Sequence, residues 1–296
     1  MGLRIVALLL LLAVPRPAAA WGFEAHRFIT EQMIALLPPE LRPLFERQKA
    51  RLIERCVDPD LWRAVGWDSE DPNHFVDLDY YGEYPFSALP HEYDKAVQKF
   101  GRETVHEQGL LPWRTAEFYG RVQRSFESLK RDSPPGYTLD NIVIFSAILA
   151  HYVEDGHVPL HAIANYDGYQ TNQGGVHGRW EADLFERNRA RFKVAPSPIK
   201  PVVDPREFMF DVLLASNRLG AGVLASDLAA VAGRQFYDDG YFDAFGTDQL
   251  AVMERRLNDS ITAVASMIVS AWEQAGRPTI PATIAQKPRA VARPPR

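Results

Sequence analysis

Ile142-Val143-Ile144-Phe145-Ser146-Ala147-Ile148-Leu149-Ala150-His151-Tyr152-Val153-Glu154-Asp155-Gly156-His157-Val158-Pro159-Leu160-His161 is the stretch on which the chain turns. Its first half is apolar enough to form a core helix. On that helix His151 and Asp155 stand at i and i+4, so an imidazole and a carboxylate project from one face, one turn apart. Such groups at the end of a buried helix need partners, because burying them unpaired is costly. Pro159 stops the helix and leaves His161 just past the break, free to turn back toward the same point. A His-x3-Asp-x5-His spacing suits nitrogen and oxygen ligation of Zn²⁺. Read alone, the run also fits an acid–histidine pair that caps a core helix.

The flanks are helical too. Phe28, Ile29, Met33, Ile34 and Leu37 recur at helical spacing, Pro38-Pro39 ends that helix, and Pro39-Glu40 can start another reaching about Cys56. Residues 57–90 are dense in Asp, Pro, Gly and aromatics and read mostly as loop, of the length usually kept for function. Helical patterns follow at 91–100 and 111–131. Ser133-Pro134-Pro135-Gly136 is a turn, and Thr138 is the expected N-cap of the helix ending near His157. Gly175 to Glu181 leads into a helix toward Arg191. Two long amphipathic helices are expected over 205–232 and 246–274. The best strand signal, the alternation over 75–79, is weak. An all-α, single-domain, multi-helix fold follows, without internal repeats.

The chain has 296 residues, 46% of them hydrophobic and 11% aromatic, the make-up of a globular protein with a sizeable core. Its start reads as a secretory signal over residues 1–20: Arg4, a short apolar run from Ala7 to Val14, and an A-x-A-like Ala18-Ala19-Ala20. The apolar run is too short for a membrane span, and no later segment is expected to reach the length for one. Maturation would expose Trp21 and place the protein outside the cytoplasm, secreted or periplasmic, with no stable membrane insertion and as a monomer. Cys56 is alone, so no intrachain disulfide can form, and it reads as a small buried apolar residue.

The formal charge of −5 becomes −7 without Arg4 and Arg16. Residues 277–296 hold Arg277, Lys287, Arg289, Arg293 and Arg296 and no acid, which leaves −12 on residues 21–276. An acidic body argues against binding nucleic acid through a basic surface. It suits an anionic substrate only if bound cations reverse the local field. The Pro- and Arg-rich tail from 277 lacks apolar residues to pack and is expected to be disordered.

His177 and Glu181 repeat the i, i+4 geometry on a second helix. Asp60 and His74 sit in the 57–90 segment, and His26 follows the new N-terminus closely. Singly, each could be structural. Together, two helix-borne histidine–acid pairs with further His and Asp in loops describe a metal cluster. His91, His106 and His157 lack an acid at ligand spacing and are left at the surface or behind the ligands. No Ser-His-Asp or Cys-His arrangement and no Gly-rich phosphate loop stands out.

With these residues the sequence resembles the zinc-dependent phospholipase C and S1/P1 nuclease superfamily, over roughly residues 21–190. The resemblance implies an all-α fold holding three zinc ions. Trp21, through its amino group and carbonyl, and His26 would hold one. Asp155 would bridge it to a second, which also takes Asp60, His74 and His151. The third would take His161, His177 and Glu181. Asp58 competes for the Asp60 role, but the Asp60-to-His74 spacing fits the family better. Arg63 matches an arginine that steadies the phosphate or leaving group, and Phe75 and Asp77 match substrate-pocket residues. The implied activity is hydrolysis of a phosphoric ester bond, with Asp155 and Arg63 in the catalytic machinery. The implied substrate is a phosphodiester, either a phospholipid or single-stranded nucleic acid or nucleotide. The Trp-x4-His start is spaced as in the nucleases. The His-x3-Glu ending, the short gap from His161 to His177 and the His161-Ala162…Asn165-Tyr166 run are the phospholipase pattern, toward which the balance tips. A non-catalytic envelope protein that keeps the cluster for folding is the reading from another class.

Overall fold

A computed structural model describes residues 22–284. The signal segment, Trp21 and residues 285–296 lie outside the described residues. All regular structure among the described residues is helical, as the sequence implies. Helix α1 (Phe23–Met33) passes through a 3₁₀ turn (Ile34–Leu36) to α2 (Arg42–Arg47), α3 (Lys49–Arg55) and α4 (Asp58–Ala64). Two 3₁₀ turns (Asp68–His74 and Leu78–Tyr81) precede α5 (Tyr93–Phe100), α6 (Arg102–Glu107), α7 (Leu111–Ser128) and α8 (Thr138–Gly156). Beyond 3₁₀ turns at Pro159–Ala162 and Tyr169–Thr171, α9 (Val176–Gly178) runs through a π-helical turn (Arg179–Leu184) into α10 (Phe185–Asn188). After a last 3₁₀ turn (Arg189–Arg191), α11 (Pro205–Val231) and α12 (Asp239–Gln274) complete the order.

Helix α8 is the axis of the molecule. From Ser146 to Gly156 every residue is buried, so this helix is enclosed on all sides rather than amphipathic. It packs against α7, α3, α12, α1 and α11. Gly156 at its end packs closely: a Cβ there would meet Met209 Cε at 2.4 Å and the methionine would have to shift. Ser216 and Asn217 of α11 then hold the chain beyond it, donating to the Gly156 carbonyl (2.6 Å) and the Ala162 carbonyl (2.8 Å).

Four expectations need correction. The 57–90 segment is not mostly loop: Pro59 in the first turn and the acids Asp58 and Asp60 there start α4. Thr138 is not an N-cap. Tyr137 takes that position without a side-chain bond, and Thr138 is buried, accepting from Ser128 Oγ at 3.2 Å. The last helix starts at Asp239 rather than 246, capped by Asp238, which accepts from Tyr241 N at 2.9 Å. Gly246 is an interior position of that helix, with Leu184 close by. Finally, α11 is long and apolar enough, at a mean hydropathy of 1.3, to cross a membrane, with 33% of that window buried. Charged residues spread along it, among them Asp211, Arg218 and Asp227, disguise this in the sequence.

The alternation over 75–79 forms no ladder. Phe75 is extended, and the chain turns at Leu78. The segment before α11 runs instead along α12. Lys193 N, Ala195 N, Lys200 N and Val202 N donate to Glu254, Asn258, Ser266 and Ser270, and Gln274 donates to the Val202 carbonyl. Thr262 fills the remaining four-residue step, donating to the Ser197 carbonyl at 3.2 Å. At the C-terminal end Trp272 Nε1 donates to the Pro278 carbonyl at 3.0 Å, and Ile280 packs on the core. The first residues after 276 are therefore docked.

Candidate metal centre

Each candidate ligand in the described residues is delivered by a different turn of chain. His26 lies on α1, Asp60 on α4, His74 at the end of the Asp68–His74 turn, and His151 and Asp155 on α8. His161 lies in the Pro159–Ala162 turn, His177 on α9 and Glu181 in the π turn. All eight are buried, none more than 6% exposed. Two backbone clips tie the ligand-bearing loops to their neighbours. Val76 N donates to the His161 carbonyl (2.9 Å), and Leu111 N and Asp77 N tie the chain after His74 to residues 108–111. Gly109, at φ +98°, permits this: a Cβ there would lie 2.1 Å from the Phe75 oxygen.

The donor atoms converge in three groups: His26–His151–Asp155, Asp60–His74–His151 and His161–His177–Glu181, each within 4.8 Å. Asp155 divides its oxygens between the first two. Oδ1 faces His26 Nε2 at 3.5 Å, and Oδ2 faces His74 Nδ1 at 2.9 Å and His151 Nε2 at 3.3 Å. Asp60 Oδ1 lies 3.7 Å from His74 Nδ1 and 3.9 Å from His151 Nε2. In the third group His177 Nε2 is 2.8 Å from His161 Nε2 and 2.9 Å from Glu181 Oε2. Asp58 turns away and pairs with Arg55 at 3.4 Å. Asp60 is thus the acid that joins the cluster.

This donor set fits bound cations. Asp60 Oδ2, Asp155 Oδ1 and both oxygens of Glu181 are buried without a hydrogen-bond partner. Buried acceptors left this way are expensive. Ligands at ~2.0–2.1 Å around a tetrahedral ion stand about 3.3 Å apart, close to the separations here. The imidazoles are also aimed correctly. His151 Nδ1 donates to the Cys56 carbonyl (2.9 Å) and His161 Nδ1 to the His74 carbonyl (2.6 Å), leaving Nε2 of each as the inward lone pair. His26 Nδ1 meets Glu154 Oε2 at 2.5 Å, while Thr30 Oγ1 donates to Glu154 Oε1 at 2.8 Å. Mixed imidazole and carboxylate donors suit zinc and its borderline neighbours.

Burial governs the protonation states. It pushes Asp60 and Glu181 up to about 7 and Asp155 well above the carboxylate range, the last aided by the charges of Asp60 and Glu181. It holds His161 and His177 down at about 4 and His74 and His151 well below the usual imidazole value. These four imidazoles are therefore neutral ligands at pH 7, and the carboxylates need a cation in order to stay ionised.

No protein-family model and no curated protein matches the chain. What the centre can do follows from its own surroundings. His74, His161 and His177 line a cavity of about 640 Å³. Arg63 stands in its wall, its Nη1 3.4 Å from Asp60 Oδ1 and its Nε bound to Asp71. Phe75 and Tyr166 also line the cavity, their rings near parallel at 21° with centroids 6.4 Å apart. Asp77 is not among the lining residues. Its peptide N–H is held by the Gln108 carbonyl at 2.8 Å, and burial, with the charge of Asp79, raises its carboxyl to about 7. Four acids also line the cavity: Asp68, Asp71, Glu107 and Asp167.

Some supporting residues escaped the sequence reading. Glu154 orients His26 and was visible only as a second acid beside Asp155. Asp167 accepts from Gly175 N (3.0 Å) and His177 N (3.3 Å) and so fixes the start of α9. Behind His74, Glu70 accepts from Arg114 Nη2 (3.1 Å) and from the Tyr152 hydroxyl. Of the histidines set aside, His106 lines the cavity, His157 is buried on the Val153 carbonyl (2.7 Å), and His91 stacks on Phe210 at 3.7 Å.

Proposed function

We propose that the protein is a secreted, zinc-dependent phosphoric ester hydrolase that cleaves phosphodiesters in the manner of a phospholipase C. The observation that carries this reading is that His74, His161 and His177, drawn from two of the three groups, line a cavity with Arg63 in its wall. A purely structural metal site is closed by its ligands, whereas a catalytic one keeps a position open to substrate.

Trp21, His26 and Asp155 would hold one ion, Asp60, His74 and His151 together with Asp155 a second, and His161, His177 and Glu181 a third. When bound, zinc supplies Lewis acidity toward phosphoryl oxygens and makes bound water acidic near neutral pH. The protein's residues do the rest. Asp155, with its two oxygens facing two groups, fixes their relative position. Arg63 would offer guanidinium N–H groups to a phosphoryl oxygen in the cavity it lines. Asp60 and Asp71 brace that guanidinium from two sides. Phe75 and Tyr166 offer ring faces to the group carried by the ester.

The acids lining the cavity favour a cationic headgroup over a polyanionic strand, and a quaternary ammonium is attracted to aromatic faces. This supports the phospholipase C direction. The near-parallel Phe75 and Tyr166 also suit stacking on a nucleobase, which keeps a single-strand nuclease or 3′-nucleotidase as the second reading. A parallel assay of phosphatidylcholine, single-stranded DNA and RNA, and 3′-mononucleotides, with zinc and with chelator, separates them. Zinc-dependent release of phosphocholine is expected. Full metal occupancy without turnover of any phosphoric ester would leave only a non-catalytic metal protein.

A further inference from the structure

We propose that Asp227 of α11, acting through Arg179, sets how tightly the His161–His177–Glu181 group holds its ion, separately from the other two groups. This rests on the metal-centre reading above. Arg179 and Asp227 are positioning residues, since neither touches that group.

The π-helical turn Arg179–Leu184 interrupts the helix that begins with α9. Bulges of this kind re-aim side chains and recur at functional sites. Here the turn sends Glu181 into the metal centre, against His177 Nε2 at 2.9 Å. Arg179, two residues earlier, engages a separate buried network. Its Nη2 and Nε reach Asp227 Oδ1 at 2.9 and 3.2 Å, and its Nη1 and Nη2 reach the Gly174 and Gln173 carbonyls at 2.8 and 3.0 Å. The Asp227 carboxylate also accepts from Gln173 Nε2 at 2.7 Å and from the Tyr241 hydroxyl of α12. Arg179 is 6% exposed, Asp227 1% and Tyr241 0%.

The network therefore pins both ends of the ligand-bearing piece. Arg179 grips residues 173–174 just before His177, and it is itself the first residue of the turn that carries Glu181. A buried pair of this kind is a weak source of net stability, but removal of one partner strands the other. Of the third group's three ligands, two lie on this pinned piece. The ligands of the other two groups lie on α1, α4, α8 and the Asp68–His74 turn, whereas the hydrogen bonds of Arg179 go to Asp227, Tyr241, Gly174 and Gln173.

The test is a zinc titration of chelator-stripped full-length mature protein, with His177→Ala marking which binding phase belongs to the third group. Asp227→Asn is expected to weaken that phase at least tenfold and to leave the other phases at wild-type affinity. Tyr241→Phe, a milder change, is expected to shift the same phase in the same direction by a few-fold, and carries the test if Asp227→Asn does not fold. Trp272→Phe removes a buried hydrogen bond at the far end of α12. It serves as the destabilised control and is expected to leave every phase unchanged. Equal weakening of all phases in the Asp227 or Tyr241 variants, or none, would overturn the proposal. Wild-type protein that binds no zinc would overturn the metal reading itself, and with it this coupling.

Discussion

His26 Nδ1 and Glu154 Oε2 stand 2.5 Å apart, joining α1 to α8 across 128 positions of sequence. The bond fixes which imidazole nitrogen faces the centre, and Thr30 holds the same carboxylate from the other side. Partners of this kind are worth 10–100-fold in metal affinity. Glu154→Ala is expected to weaken zinc at the His26 group by about that factor. Competition with a chromophoric chelator measures it, and unchanged affinity would remove Glu154 from the centre.

The first group gains its last ligand from Trp21 if the resemblance to the zinc phospholipases and S1/P1 nucleases holds. Protein matured to a free Trp21 amine is then expected to retain one more zinc after dialysis than protein with a single extra residue in front. Elemental analysis of the two forms decides it. Equal zinc and equal activity would show that the terminal amine is not a ligand.

Arg63 borders the cavity while touching Asp60 only at 3.4 Å. Arg63→Lys keeps the charge but loses the fork that matches a phosphoryl group. A fall in kcat/KM on the order of 10²-fold is expected, as for other lost donors to developing negative charge. Zinc content should stay at the wild-type level. Loss of zinc in parallel with activity would make Arg63 a support for Asp60 instead.

In the metal-free protein Asp60 and Glu181 titrate at about 7, above their unfolded values, because burial disfavours their charged forms. Their contribution to stability is thus full below the ordinary carboxylate range and is lost as pH rises through 7. His161 and His177, held at about 4, have the opposite sign: their contribution is full above the unfolded imidazole value and is lost as pH falls toward 4. Zinc replaces the carboxylate protons, so affinity should climb as pH rises through about 7. The gain in melting temperature on adding zinc should widen between pH 5.5 and 7.5. Affinity already level by pH 5.5 would show that the imidazoles alone control binding.

The sequence made α8 legible because an apolar run ending in His151 and Asp155 has few other uses. The i, i+4 pair His177 and Glu181 was legible for the same reason, and so was the all-helical class. Asp60 could be ranked above Asp58 only by spacing, and the fold separates them by turning Asp58 to Arg55. What stayed hidden depends on contacts between distant segments. Glu154 looks like one more acid until α1 arrives beside it. Arg179 looks like a surface charge until Asp227, 48 positions away, is brought against it. Gly246 resembled a helix start because a glycine weakens a local helix signal, although tertiary packing keeps it inside α12.

The extended segment 193–203 and α12 meet through side chains at Glu254, Asn258, Thr262, Ser266, Ser270 and Gln274, one per helical turn. The seam makes a covalent connector into a non-covalent clasp. A protease that cut the exposed chain at Lys200 would leave two pieces still fastened along α12, with α1 to α10 on one and α11 to α12 on the other. Such a nicked molecule should migrate as one particle under native conditions and as two bands in detergent, its metal centre undisturbed.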